Sequence, residues 1–152
     1  MKVIILAGGF GTRLAEHTDR IPKPMVEIGG LPILWHIMKG YANYGFKEFA
    51  IALGYKGDVI KEFFVNYRYR TANLSVSVGT GDVKVHGQHA DDWQVDLVET
   101  GHETQTGGRV KRVVQSAVSG RFMLTYGDGV SNIDIARLLE FHENHGKLAT
   151  MT

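Results

Sequence analysis

The chain contains no cysteine in its 152 residues. A disulfide framework and thiolate chemistry are therefore excluded, and a cytoplasmic setting is permitted. It also lacks an excess of charge of one sign. With a formal net charge of +1, bulk electrostatics recommends neither nucleic acid nor a membrane as partner. Long hydrophobic runs are missing too: the opening apolar stretch is about six residues, too short for a signal-peptide core or a membrane span. Proline is rare, and Pro22, Pro24 and Pro32 are all there are. No repeat or low-complexity tract stands out. Histidine is better represented, with seven, and His86/His89 and His142/His145 are each three apart. Zinc needs three or four convergent ligands, neither pair has a third, and both read as solvated. What remains is a 43% hydrophobic chain, ordinary for one domain spanning 1–152.

What the chain does have is concentrated at its start. Val3-Ile4-Ile5-Leu6-Ala7 runs into Gly8-Gly9-Phe10-Gly11-Thr12-Arg13-Leu14, and Pro22-Lys23-Pro24-Met25 follows. A buried strand that empties into a glycine turn exposes backbone N–H groups at its carboxyl end. No side chain there blocks the close approach of phosphate oxygens. Arg13 and Lys23 add two positive charges, and the prolines around Lys23 restrict its backbone. The pattern suits a triphosphate. No stretch meets the Walker spacing. The dinucleotide fingerprint fails at its third glycine, where Leu14 stands, which argues against a hydride-transfer cofactor. The glycine turn alone would also be compatible with a plain strand-to-loop connection.

Periodicity predicts strands over 2–7, 48–53, 74–78, 95–98 and 122–125, with a further strand starting at 147–152. Helices are predicted over 32–44, beginning at Pro32 and stopped by Gly45, and over 57–67, 107–118 and 134–145. Residues 79–92 read as a loop or an irregular hairpin. Buried strands alternating with helices imply an α/β fold: three layers around a mainly parallel sheet. Such sheets bind ligands beyond the carboxyl ends of their strands. The glycine loop and the Gly127-Asp128-Gly129 turn both follow strands, so both fall on that edge.

Each candidate residue has a plainer reading. Asp128 can hold Mg²⁺ that also touches phosphates, or it can be a turn aspartate between glycines. Arg13 can stabilise charge on a leaving pyrophosphate, or pair with Glu16 at the surface. Lys23 can meet a phosphate, or be an exposed lysine in a stiff loop. Trp35, Tyr67 and Tyr69 read as core or rim aromatics. Lys61, Arg68 and Arg70 read as a solvated basic face.

The longer string is more specific than any of these. Leu-Ala-Gly-Gly-x-Gly-Thr-Arg-Leu, Pro-Lys-Pro-Met, Ile28-Gly29-Gly30 and Pro32-Ile33-Leu34 resemble the start of the sugar-1-phosphate nucleotidylyltransferases. Trp35-His36-Ile37-Met38-Lys39, Gly54-Tyr55-Lys56-Gly57, Thr106-Gly107-Gly108-Arg109-Val110-Lys111-Arg112 and Thr125-Tyr126-Gly127-Asp128-Gly129-Val130 resemble its cytidylyl branch. The resemblance implies a Rossmann-like nucleotide-diphospho-sugar transferase fold, with CTP and glucose 1-phosphate as substrates and Mg²⁺ held by Asp128. It implies catalytic roles for Arg13 and Lys23. It also implies a nucleotide site made by Leu6, Ala7, Gly8, Gly9, Gly11, Thr12, Arg13, Lys23, Thr104, Arg109 and Gly127. Gly107 and Gly108 would open a helix there, although Thr106 could simply cap it.

The implied reaction is in-line attack of the sugar phosphate on the α-phosphorus of CTP, giving CDP-glucose and pyrophosphate. A phosphate dianion needs no general base, which agrees with the lack of a Ser-His or Cys-His device. Members of the family are longer, so the chain reads as an amino-terminal portion lacking the sugar pocket and a second metal-binding aspartate. An exposed sheet edge would invite self-association into a homo-oligomer. Leu31 replaces a lysine frequent in relatives. Two alternatives are a nucleotide-binding regulatory module without turnover, and a transferase using UTP or dTTP.

Overall fold

The structure, a computed structural model, describes residues 1–9, 21–87 and 91–152. Its centre is a sheet of strands β1 (Lys2–Leu6), β4 (Glu48–Leu53), β7 (Gln94–Glu99) and β8 (Phe122–Tyr126), in the order β7-β4-β1-β8. All three pairings are parallel, with Ile4 opposite both Ala50 and Leu124. Successive side chains of a strand face opposite sides, so the unbroken apolar runs of β1 and β4 supply two cores at once. Val3, Ile5, Ala7, Phe49, Ile51 and Leu53 face one core; Ile4, Leu6, Ala50 and Ala52 face the other. A strand buried on both faces cannot alternate polar and apolar residues, and these do not.

Helices cover both faces. On the first, Leu34, Ile37 and Met38 of α1 (Ile33–Asn43) and Ile60 and Phe63 of α2 (Gly57–Val65) pack onto the sheet. On the second, Val110, Val113, Val114 and Ala117 of α4 (Thr106–Ala117) do the same. The three-layer α/β expectation holds.

Local chemistry sets the boundaries. Pro32 occupies the cap position before α1, one residue earlier than its expected place in the first turn. Gly45, at φ +86, receives the chain after α1, and its N–H donates to Ala42 O at 2.9 Å. The helix expected to 67 breaks at Asn66, whose amide side chain donates to Glu62 O, and a short α3 (Tyr67–Thr71) follows. β5 (Asn73–Val76) and β6 (Val83–His86) form an antiparallel hairpin, so part of the segment 79–92 is a hairpin. Asp134 caps α5 (Ile135–His145) by accepting from the Arg137 N–H at 3.1 Å.

The strand expected over 147–152 is not there. Gly146, left-handed at φ +62, turns the chain at the end of α5. The Thr150 hydroxyl then bonds both His142 Nδ1 (2.8 Å) and His145 Nε2 (2.7 Å). The segment lies back on its own helix instead of pairing with a sheet edge. His142 and His145 are accordingly bonded to protein, contrary to their reading as solvated.

Candidate functional site

The strand order locates a crevice. From β1 the chain moves outward to β4 and β7, then returns to β8 on the other side of β1. The direction of winding therefore reverses between β1 and β8. Loops leaving two such strands diverge, and ligands of open α/β sheets bind in the gap beyond their carboxyl ends.

Leu6, Ala7, Gly8 and Gly9 lie at the carboxyl end of β1, and Gly127 and Asp128 at that of β8. Leu6 is in register with Tyr126, and the Gly127 N–H donates to Leu6 O at 2.9 Å. A Cβ on Gly127 would come within 3.0 Å of that oxygen and 3.3 Å of Pro24 Cγ. The absence of a side chain there admits the Pro22-Lys23-Pro24 segment. Lys23–Met25 is a turn of 3₁₀ helix with Pro22, Pro24 and Met25 buried, and Lys23 is half-exposed between the prolines. Three sequence segments predicted to share a site thus meet at one place. Gly11, Thr12 and Arg13 lie outside the described residues.

Asp128 is exposed at the mouth of the crevice, immediately after Gly127. Among the described residues no group of three or more His, Cys, Asp or Glu converges to hold a metal ion. Mg²⁺ keeps several waters and is held by one or two carboxylates plus substrate phosphates. The exposed carboxylate of Asp128 is a hard oxygen donor of that kind.

Arg109 lies behind the glycine turn. Its side chain is buried at 5% exposure, and its two terminal nitrogens are committed to five neutral oxygens of the protein. Nη1 donates to Leu53 O (3.1 Å), Thr100 Oγ1 (2.7 Å) and Gly101 O (2.7 Å); Nη2 donates to Gly8 O (2.9 Å) and His102 O (3.0 Å). One guanidinium therefore ties together the carboxyl ends of β1, β4 and β7. In this structure its bonds are to the protein. Burial pulls its pKa below the ordinary value, and the Arg112 charge adds to the effect. An arginine starts so high that it stays charged.

Two glycines make room for it. A Cβ on Gly8 would collide with Arg109 Nη1 and lie 2.7 Å from Cζ; one on Gly54 would collide with Nη1 and lie 2.6 Å from Gly8 O. Thr104, the other residue of this segment, accepts from Arg112 Nη1 at 2.7 Å. Gly108 abuts its methyl group, where a Cβ would come within 2.7 Å of Thr104 Cγ2. The helix begins at Thr106, but its cap position is Gln105 and carries no side-chain cap bond. Thr106 therefore does not cap it.

Thr100 was not singled out from the sequence, and Gly54 entered only within the string Gly54-Tyr55-Lys56-Gly57. Thr100 is fully buried and bonds both Leu53 O and Arg109. A glycine within two residues of the end of each of two neighbouring parallel strands was the legible signal, since something must fill the space that both leave. Among the described residues, Lys56 is the non-glycine residue in the left-handed region, at φ 52, on the same sheet edge after β4. Its ammonium lies 5.2 Å from the Tyr55 ring centroid. Among the described residues no helix is long and apolar enough to cross a membrane.

Comparison with known proteins agrees with this geometry. The family model described as Nucleotidyl transferase matches residues 2–152. A glucose-1-phosphate cytidylyltransferase of Salmonella typhimurium is 51% identical over the whole chain, and a probable glucose-1-phosphate cytidylyltransferase of Bacillus subtilis is 46% identical. The chain spans 60% and 59% of the lengths of these two relatives. Among solved structures, HddC from Yersinia pseudotuberculosis complexed with GMP-PN superposes with a TM-score of 0.68 at 26% identity, covering 93% of this chain and 53% of that one.

Proposed function

This chain belongs to the nucleotidyl transferase family, and from there we propose that the protein transfers a cytidylyl group from CTP to α-D-glucose 1-phosphate, releasing pyrophosphate and forming CDP-glucose. The observation that carries the choice of nucleotide and sugar is 51% identity over the whole chain to the Salmonella cytidylyltransferase. The crevice between β1 and β8 supports the class of reaction, because its parts suit a polyphosphate.

In this reading the turn after β1 receives the triphosphate on backbone N–H groups, close to the strand because Gly8 and Gly9 carry no side chain. Lys23, aimed by its two prolines, supplies a point charge to the phosphates, and Arg13 supplies a planar fork of donors. Both act on the main obstacle, the repulsion between an anionic sugar phosphate and an anionic triphosphate. Charges fixed before the reaction need no reorganisation as pyrophosphate departs. Asp128 would hold Mg²⁺, which when bound neutralises phosphate charge. The attacking phosphate oxygen is already a nucleophile, so no side chain is assigned the role of base. The cytoplasm is the proposed setting, in keeping with a cysteine-free chain that uses a nucleoside triphosphate.

Titration calorimetry of the whole protein with CTP, UTP, dTTP and ATP, each with and without Mg²⁺, tests this reading. Tightest binding of CTP, strengthened by Mg²⁺, is expected. Preference for UTP or dTTP would overturn the cytidylyl assignment, and binding indifferent to Mg²⁺ would remove Asp128 from its role.

A further inference from the structure

Arg109 does more than tie strand ends together, because of which oxygen it holds. A trans peptide points its C=O and the following N–H in opposite directions. The Leu6–Ala7 peptide shows this at the crevice. Leu6 O accepts from Gly127 on the β8 side, while the Ala7 N–H donates to Ala52 O on the β4 side at 3.1 Å. Two residues on, the direction is reversed. Gly8 O faces β4, where it accepts from Arg109 Nη2 (2.9 Å) and the Tyr55 N–H (3.2 Å). The Gly9 N–H then points away from β4, the side of β1 on which β8 lies.

This peptide would not keep that direction unaided. It joins two glycines, which have no Cβ to restrict rotation and which sample backbone conformations closed to other residues. A flipped Gly8–Gly9 peptide would present a carbonyl oxygen to the gap and repel an anion. The same missing side chains that allow phosphate to come close also make the donor's direction uncertain. A buried guanidinium is a firm brace: it is itself fixed by Leu53, Thr100, Gly101 and His102, and Gly8 and Gly54 leave space for it.

We propose that Arg109 is a positioning residue: by holding the Gly8 carbonyl from behind, it aims the Gly9 N–H at a phosphate oxygen of the bound nucleoside triphosphate. The inference rests on the reading of the crevice as a triphosphate site.

The test uses the whole protein and inorganic tripolyphosphate as the probe, in parallel with CTP. Arg109→Lys keeps a charge but cannot reach all five oxygens. In a variant that remains folded at the assay temperature, tripolyphosphate should bind about tenfold more weakly, the loss expected when one charge-assisted bond no longer orients a donor. A purely structural role would lower the melting temperature and leave that affinity unchanged, and this result overturns the proposal. A second measurement needs no variant. In the ¹H–¹⁵N spectrum of the wild-type protein, the Gly9 amide proton should be among the resonances moved furthest downfield by tripolyphosphate. An unmoved Gly9 amide in a protein that binds tripolyphosphate overturns the proposal even if CDP-glucose is formed. Binding through Gly9 without any nucleotidyl transfer would retire the proposed reaction and leave the role of Arg109 standing. A wild-type protein that binds no tripolyphosphate overturns both.

Discussion

Gly8 and Gly9 are adjacent and chemically identical, yet they do different work. A side chain at Gly8 would collide with the Arg109 guanidinium, whereas one at Gly9 would meet nothing within 4 Å among the described residues. Gly8→Ala should therefore cost about 1–3 kcal/mol of stability, the usual range for overpacking a filled space, while Gly9→Ala should stay within about 0.5 kcal/mol. Urea unfolding of both variants checks the contrast, and equal losses would contradict it. Asp128 has the opposite character, exposed and dispensable to the fold. Asp128→Asn should lower the rate of CDP-glucose formation by about 2–4 kcal/mol of transition-state stabilisation with no change in the unfolding midpoint. A near-normal rate would remove the carboxylate from the chemistry. At this scale the sequence was legible for placement: strands running into glycines put Gly8 and Gly127-Asp128 on one sheet edge, where the structure has them. It was not legible for Arg109. The string Thr106-Gly107-Gly108-Arg109 marks the residue, but the five oxygens it bonds come from positions 8, 53, 100, 101 and 102. No local pattern can bring those together.

Between elements, one polar network fastens α1, α3 and the segment entering β7. The Trp35 N–H donates to the Tyr67 hydroxyl at 2.8 Å, which donates to Asp91 Oδ2 at 2.5 Å, and Lys39 pairs with Asp91 Oδ1 at 2.9 Å. Burial first, then the bond to Asp91, push the Tyr67 phenol up to about 12. Burial alone would raise the Asp91 carboxyl, but the Tyr67 hydroxyl and the Lys39 ammonium outweigh it and hold the pKa below the ordinary 3.8. The signs follow from which form the fold prefers. Asp91 stabilises the fold above that ordinary value, and its contribution is lost as pH falls through its depressed pKa. The protonated Tyr67 contributes fully below its unfolded pKa of 10.0 and loses its contribution as pH rises toward 12. Tyr67→Phe leaves the indole N–H and the carboxylate each short of a partner, and should cost about 1–3 kcal/mol. Thermal melts across the acid range should show a smaller fall for Asp91→Asn than for wild type. Parallel curves would exclude Asp91 from acid stability.

Most elements could be anticipated because their apolar periodicity is strong and their ends carry glycine, proline or a capping aspartate. Two features could not. Ile28-Gly29-Gly30-Leu31 is a tight hairpin between β2 (Glu27–Ile28) and β3 (Leu31–Pro32), with both glycines at positive φ, at 61 and 82. The Gly-Gly pair was a hairpin signal, overlooked because the flanking strands are only two residues long. The strand expected over 147–152 failed for a different reason: periodicity supplies an apolar face but no partner, and Thr150 found its hydrogen bonds on α5.

For the molecule as a whole, class and order were unequally accessible. Alternation of buried strands with helices was enough for a parallel three-layer fold, because strands buried on both faces require helical crossovers. The order β7-β4-β1-β8 was not readable, because whether a crossover leads left or right depends on which face its helix packs against. That choice creates the crevice: β8 returning beside β1 is what brings Asp128 opposite the glycine turn. Identity over the full chain with the cytidylyltransferases, while spanning 60% of the Salmonella relative, makes product formation by the whole protein the decisive observation. The measurement is ³¹P NMR of the protein with Mg²⁺, glucose 1-phosphate and, in turn, CTP, UTP, dTTP and ATP. CTP should yield CDP-glucose and pyrophosphate in equal amounts, well ahead of the other three. Equal or faster conversion of UTP or dTTP, or no pyrophosphate from any of the four with folded protein, would contradict the account.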